Sequence, residues 1–387
     1  MNALIPLPVI VPLLGAAICM IVAQVRWAQR VVCLLALTSN VVVAIMLLVR
    51  VDDDGIVVTQ AGGWPAPLGI TLVVDRLSAV MLVVSSLMLL SVLVYAIGQG
   101  AEESRYAAFN PVYLVLAAGV SASFITGDLF NLFVAFEMML VASYVLLTLG
   151  GRPDQVRAGM SYVVISLVAS TFFVTALAVI YAATGTVNMA QLSQRMPDLP
   201  IGVSTGFSLL LILVFGIKAG LFPLFFWLPD SYPTASGAIT AVFAGLLTKV
   251  GVYAIIRTQT LIFPPDAQQG TVLLVLAGLT MLVGVLGALA QDDLRRMLSF
   301  HIVSHIGYMI FGLALFTLAG VAGAVFYVVH HIVVKTGLFL VAGLVERRSG
   351  SDRLSRVGGL VRSAPMLAVL FALPALSIAG IPPFSGF

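Results

Sequence analysis

Three lysines, Lys218, Lys249 and Lys335, stand inside long apolar runs, while the other sixteen of the nineteen basic residues are arginines found almost entirely between such runs. A charge at the centre of a bilayer costs at least about 2.5 to 3.5 kcal/mol even on the gentlest insertion scale, so each of these lysines needs a reason to be there. Of the sixteen acidic residues, only Glu137 falls near the middle of an apolar run. Lysine is suited to a proton relay, because burial lets an ammonium give up its proton whereas a guanidinium keeps it. A neighbouring carboxylate opposes that release, so a Glu137 to lysine pair that closes and opens would load and release a proton at the lysine. His331 and Lys335 are four residues apart and share a helix face, so they can pass a proton without both being charged.

Lys218 has its own setting. Gly216, Gly220 and Pro223 interrupt the apolar run around it, and Pro223 removes a backbone donor and disfavours helical geometry at the residue before it. A broken helix is expected there, and such a break survives at membrane depth only where it faces protein or a water-filled cavity. The lysine would sit at the C-terminal, negative end of the first half-helix. The same punctuation returns at Gly380, Pro382, Pro383 and Gly386. Paired interruptions in corresponding segments point to a transporter built from inverted repeats. All four histidines, His301, His305, His330 and His331, fall in the tenth and eleventh apolar runs. No carboxylate or cysteine joins them at ligand spacing, which argues against a metal site and leaves His301 and His330 as packing or cavity-lining residues. The sequence has no P-loop, no GxGxxG and no CxxC, so no nucleotide, flavin or iron-sulfur cofactor is expected.

The elements that must hold these groups are membrane spans. With 61% hydrophobic and 9% charged residues, the 387-residue chain reads as a polytopic membrane protein, since soluble domains carry about 25% charge. A span needs roughly 20 mainly apolar residues, which gives twelve candidates at 2–24, 31–50, 72–97, 107–126, 128–149, 156–184, 206–228, 234–257, 270–290, 299–319, 321–345 and 365–387. Lys249 and Lys335 lie about fourteen residues into their spans, about 21 Å along the axis, too deep for easy snorkelling. Twelve arginines follow odd-numbered spans and four follow even-numbered ones, which places the N-terminus outside. The net charge of +3 is spread over short loops, a pattern of topology control with no nucleic-acid partner. Residues 51–71, with three aspartates and a Gly-Gly-Trp-Pro turn, read as a small hairpin. Asp128 is expected to cap the fifth span and Asp75-Arg76 to form a pair at the start of the third. Residues 291–296 read as a solvated turn with a possible coupling role. Cys19 and Cys33 are expected as buried thiols without a disulfide. The opening MNALIPLPVIVPLLGA has no basic region or cleavage signal and reads as a retained first span. The chain stops in an apolar segment at Phe387, so further residues are expected beyond it.

Five segments together resemble one family. They are Gly127 to Leu140 around Glu137, Phe215 to Asp230 around Lys218, Ala244 to Tyr253 around Lys249, Asp293 to Tyr308, and His330 to Phe339 around Lys335. In order and spacing of charge they resemble the proton-translocating antiporter-like family, which holds the large membrane-arm subunits of respiratory complex I and of Mrp-type multisubunit Na+/H+ antiporters. The short first loop and the opening residues are most similar to the D-type branch of the Mrp antiporters. The resemblance implies an all-α fold of about 14 transmembrane helices, twelve of them present here, with two inverted five-helix repeats and breaks in helices 7 and 12. The corresponding segments are 1–106, three helices with an external hairpin, 107–257, the first repeat, and 270–387, the truncated second. It also implies that Glu137, Lys218, Lys249, His331 and Lys335 are stations of a lateral relay whose last station lies beyond Phe387.

The function expected is a non-redox subunit of a cation/proton antiporter, working in a hetero-oligomer of a bacterial plasma membrane and moving protons against Na+. The alternative is a proton-pumping subunit of complex I or a membrane-bound hydrogenase. A small-molecule carrier is a third reading, which the row of titratable groups disfavours.

Overall fold

The computed structural model describes residues 2–100 and 106–387; Arg105, one of the twelve arginines counted above, lies outside the described residues. The first helices are α1 (Leu7–Ile21), α2 (Arg26–Asp54), α3 (Arg76–Gln99), α4 (Phe109–Ile125) and α5 (Leu129–Thr148). Next come α6 (Pro153–Thr184), α7 (Met189–Arg195), α8 (Ile201–Ala219) and α9 (Trp227–Ser231). A π-helical segment, Phe243–Leu247, joins α10 (Gly237–Val242) to α11 (Thr248–Leu261) as one continuous helix. The remainder are α12 (Gly270–Leu289), α13 (Leu294–Ala314), α14 (Leu318–Ser349), α15 (Leu360–Ser363) and α16 (Pro365–Ile378). Among the described residues nine helices are long and apolar enough to cross a bilayer, and α1, α4 and α16 are apolar but shorter.

Burial sorts these helices by position. The apolar window of the α10–α11 helix is wholly enclosed by protein, whereas only 28% of that of α12 is buried. The helix carrying Lys249 is therefore central, and α12 presents an apolar surface outward as a lipid-facing helix does.

The strands β1 (Val57–Gln60) and β2 (Thr71–Val74) pair antiparallel, with Val57 opposite Val74 and Gln60 opposite Thr71. This hairpin is sewn to the helix connectors behind it: Gly127 N donates to Thr71 O at 2.9 Å and Asn188 Nδ2 to Thr71 Oγ1 at 3.0 Å. A Cβ at residue 127 would come within 2.7 Å of Val73 Cγ2, which is why glycine stands there. Asp128 caps α5 by accepting from the amides of Phe130 and Asn131. The opposite end of the bundle carries the arginines: Arg152 donates to Thr234 O at 2.8 Å, Arg296 pairs with Asp230 at 3.0 Å, and Arg295 pairs with Glu346. The 291–296 turn is tied rather than free, since Asp292 accepts from both the amide and the hydroxyl of Ser355 and Asp293 caps α13. Those two bonds from Ser355 hold the exposed Asp292 carboxyl below the usual range.

Two helix breaks share one construction. α8 ends at Gly220, with φ +83°, and α16 is followed by Gly380, with φ +71°. In each the next residue bonds five residues back, Leu221 N to Gly216 O at 2.9 Å and Ile381 N to Leu376 O at 3.3 Å. The expected seventh span thus leaves the helix after Ala219 and becomes helical again only at Trp227, and the expected twelfth leaves it after Ile378. At the first break, Thr280 Oγ1 accepts from Phe222 N and Trp227 Nε1 donates to Ile217 O. These contacts satisfy polar groups freed at membrane depth.

Candidate functional site

Glu137 lies midway along α5 and Lys218 in the last turn of α8, and α6 stands between them. Ser170 of α6 links the two: its hydroxyl donates to Glu137 Oε1 and accepts from Lys218 Nζ at 3.5 Å. Lys218 also donates to Ser166 O at 3.4 Å, and its ammonium sits 5.8 Å from the centroid of the Phe136 ring. A cavity of about 20 Å³, lined by Ser166, Lys218, Tyr162 and Leu247 among others, opens beside the lysine. That volume has room for one water molecule with polar partners around it.

Lys249 is reached across a backbone crossing. Gly251 lets α11 press against the end of α8, where a Cβ would lie 2.7 Å from Ala219 N and 3.0 Å from Lys218 C. The Lys249 side chain is fully buried and donates to Ala244 O, a carbonyl of the π-helical turn before it. A π-helical turn displaces backbone carbonyls from the regular ladder and often marks a functional position. On its other side the π-helical turn packs on α14 through Gly245, where a Cβ would fall 2.2 Å from Thr336 Oγ1, next to Lys335.

The third cluster joins α13 and α14. Lys335, fully buried, has its Nζ 2.9 Å from His301 Nδ1, and His305 Nε2 lies 3.1 Å from the same nitrogen. His305 Nδ1 in turn bonds the Tyr327 hydroxyl, and the His331 ring is 5.3 Å from that of His305. Sequence spacing paired Lys335 with His331 and read His301 as a packing or cavity-lining residue; in the structure it is the His301 ring that the lysine touches. Among the described residues neither ring nitrogen of His331 meets a hydrogen-bonding group. His330 points to the second break, where its Nδ1 is 3.1 Å from Ser385 Oγ, itself 3.2 Å from Ser377 Oγ.

Ser170, Tyr327, Ser377 and Ser385 had no signal in the sequence, because a hydroxyl on an apolar helix is ordinary until its neighbour is known. The pair at the start of α3 also differs from expectation. Asp75 caps α3 through Ser78 N but binds Arg257 of α11, while Arg76 reaches Asp52 at 2.9 Å. Burial raises the Asp75 carboxyl, but the Arg257 guanidinium and the bonds from Ser78 together outweigh it and hold the group below the usual range. Cys19 and Cys33 are both buried thiols. Among the described residues no group of three His, Cys, Asp or Glu side chains could hold a metal ion.

The interior of the apolar bundle thus holds two bonded clusters, Glu137–Ser170–Lys218 and Lys335–His301–His305–Tyr327, with Lys249 on the helix that packs against both α8 and α14. Comparison with known proteins bears on what they serve. A family model described as NADH:quinone oxidoreductase/Mrp antiporter, transmembrane, matches residues 126–387. The D-type subunit of the Na+/H+ antiporter of Alkalihalophilus pseudofirmus is 46% identical over 389 residues, a match covering all of this chain and 79% of that protein. Its counterpart in Bacillus subtilis is 40% identical, with the same coverage. Among solved structures, a chain of the Mrp complex from Dietzia sp. aligns with a TM-score of 0.95 at 40% identity, covering all of this chain and 72% of that one. A chain of an archaeal membrane-bound sulfane sulfur reductase aligns with a TM-score of 0.93 at 27% identity, covering 99% of this chain and 79% of that one.

Proposed function

This chain belongs to the NADH:quinone oxidoreductase/Mrp antiporter membrane family, and from that premise we propose that it conducts protons for Na+/H+ exchange along its buried row of titratable groups. It is a membrane-embedded antiporter subunit that works among other subunits, and a transporter component rather than an enzyme. The observation that carries the finer reading is the bridging of Glu137 to Lys218 by Ser170, followed by two further fully buried lysines, Lys249 and Lys335. Ammonium groups are costly in hydrocarbon, and three of them at membrane depth, one bridged to an acid by a hydroxyl and one held by an imidazole, support a conduction path.

In this reading a proton enters near Glu137, is held at Lys218 beside the one-water cavity, and passes to Lys249 on the far side of the α8–α11 contact. It continues to Lys335 through the region where the π-helical turn meets α14, and His301 and His305 receive it there. His331, beside His305, tunes that cluster. The two glycine breaks recur 160 residues apart, and the β-bridges Asp128–Asn188 and Asp293–Arg353 recur with both partners 165 residues apart. They support a fold of inverted repeats, 107–257 and 270–387, following the segment 1–106. The arginine-rich end is taken as cytoplasmic and the hairpin end as external, in the plasma membrane of a bacterium.

The test uses everted vesicles containing the assembled complex. Adding Na+ should dissipate a preformed pH gradient, and Glu137→Gln or Lys218→Ala should abolish the response while assembly persists. The structural likeness to a chain of a reductase supports one rival, a redox-driven proton pump. Proton movement that ignores Na+ and demands an electron donor would establish that rival instead.

A further inference from the structure

A second polar feature lies outside the lysine series, at the hairpin end of α11. Lys249, Tyr253 and Arg257 are spaced four apart on one face of that helix, a column about 12 Å long. Beyond Arg257 lies a cavity of about 430 Å³ between the hairpin and the helix ends, with Thr71, Thr126, Asn188 and Gln191 supplying polar groups to its wall. Asp75, Ser78 and Arg257 line the same cavity. Every arm of the Arg257 guanidinium is engaged: both oxygens of Asp75, Ser78 Oγ at 3.0 Å and Tyr253 Oη at 3.0 Å. The Tyr253 hydroxyl donates to Phe124 O at 2.8 Å, so α3, α4 and α11 meet at one knot.

Resting on the ion route proposed above, we infer that this cavity is the hairpin-side mouth of the path to Lys249, admitting water and small monovalent cations, and that the Arg257–Asp75 pair with Tyr253 closes it. A largely buried ion pair is a poor stabiliser, because desolvation offsets most of the attraction, so an apolar pair would hold α3 to α11 as well. An ion pair, unlike an apolar contact, can be opened by a cation competing for Asp75 or by water entering from the cavity. The knot also sits where a closure is needed, with a roomy cavity, largely apolar but carrying the polar groups named above, on one side and a fully buried ammonium on the other. Tyr253, with 3% of its surface exposed, fills the section between them.

Access can be measured directly. α3 and the α10–α11 helix run antiparallel, with Ser78 beside Tyr253 and Tyr95 beside Gly237. Ser85, fully buried and two turns below Ser78, is therefore level with Leu246, a turn from Lys249. In the assembled complex, with Cys19 and Cys33 replaced by alanine, Ser85→Cys is challenged with a membrane-impermeant maleimide. The exposed Trp64→Cys on the hairpin connection identifies which vesicle preparation presents that face. With the pair intact the Ser85→Cys thiol should be protected. Asp75→Asn, which keeps the helix cap but loses the charge, and Arg257→Gln should each raise its labelling from the hairpin face at least ten-fold. Labelling from the arginine face should not change. Unchanged labelling in both variants, a rise from both faces, or ready labelling with the pair intact would each overturn the inference. Labelling reads access alone: if it follows the pair while Na+ moves no protons, the mouth stands and the function assigned above falls.

Discussion

Replacing Gly245 by alanine should destabilise the protein in its native background and do the opposite once Thr336 has been shortened. The alanine Cβ would lie 2.2 Å from Thr336 Oγ1, but 3.6 Å from Thr336 Cβ and 3.7 Å from Ile332 O, so a single oxygen blocks it. Reaching ordinary contact at about 3.4 Å requires an opening of about 1.2 Å. The threonine can escape by turning about χ1, which breaks its 2.8 Å bond to Ile332 O and leaves a buried hydroxyl unsatisfied at about 1–3 kcal/mol, or the π-helical turn can move away from α14, at the about 1–3 kcal/mol of an overpacked core. Thr336→Ala removes the obstacle, and the glycine-to-alanine change then yields only its helix-propensity gain of about 0.5–1 kcal/mol. The coupling in the double-mutant cycle should therefore be about 1–3 kcal/mol, with Gly245→Ala changing sign between backgrounds. Thermal midpoints of the chain in the purified complex measure it, with Na+-driven proton movement recorded in parallel because Ala244 O holds the Lys249 ammonium. If Gly245→Ala has the same sign and size in both backgrounds, the π-helical turn does not rest on α14 through this contact.

Other outcomes follow from the same contacts. Ser170→Ala removes the bridge between Glu137 and Lys218; with a bond to a charged group worth about 1.5–3 kcal/mol, the antiport rate in everted vesicles should fall ten-fold or more, short of the complete loss expected for Glu137→Gln. His301→Ala should impair proton movement more than His331→Ala, because His301 alone of the two touches Lys335; equal effects would count against the direct contact. Acid stability should report Asp75. Its carboxyl stays ionised to lower pH in the folded protein than in the unfolded chain, so its contribution is complete above about pH 4 and is lost as pH falls through the lowered folded value. Unfolding curves of native and Asp75→Asn complexes should therefore differ at neutral pH and converge below that window.

Helix positions were legible because about 20 apolar residues between arginines permit little else, and the breaks because glycine and proline have few other uses inside such runs. Asp128 as a cap was readable from its place before the fifth apolar run, and the hairpin from its turn residues. What could not be read was which group touches which. Lys335 has His331 one turn away on its own helix and His301 on another, and spacing along one helix says nothing of rotation against its neighbour. The same blindness paired Asp75 with adjacent Arg76, when the partner, Arg257, lies 182 residues along the chain. Ser170 was invisible for a related reason, being one of several hydroxyls on α6 until packing set it between an acid and a lysine.

The enclosure of the α10–α11 helix has a consequence for life in real membranes. Bilayers differ in thickness, and helices that touch lipid respond by tilting or by drawing the bilayer in. α12, mostly exposed, is free to do so. The helix carrying Lys249 has no lipid to answer to. Its height is set by two glycine contacts, Gly251 on the end of α8 and Gly245 on α14, which bracket the lysine. The spacing between the three lysines is therefore fixed backbone to backbone, and a change of lipid length should move the perimeter while the interior keeps its register.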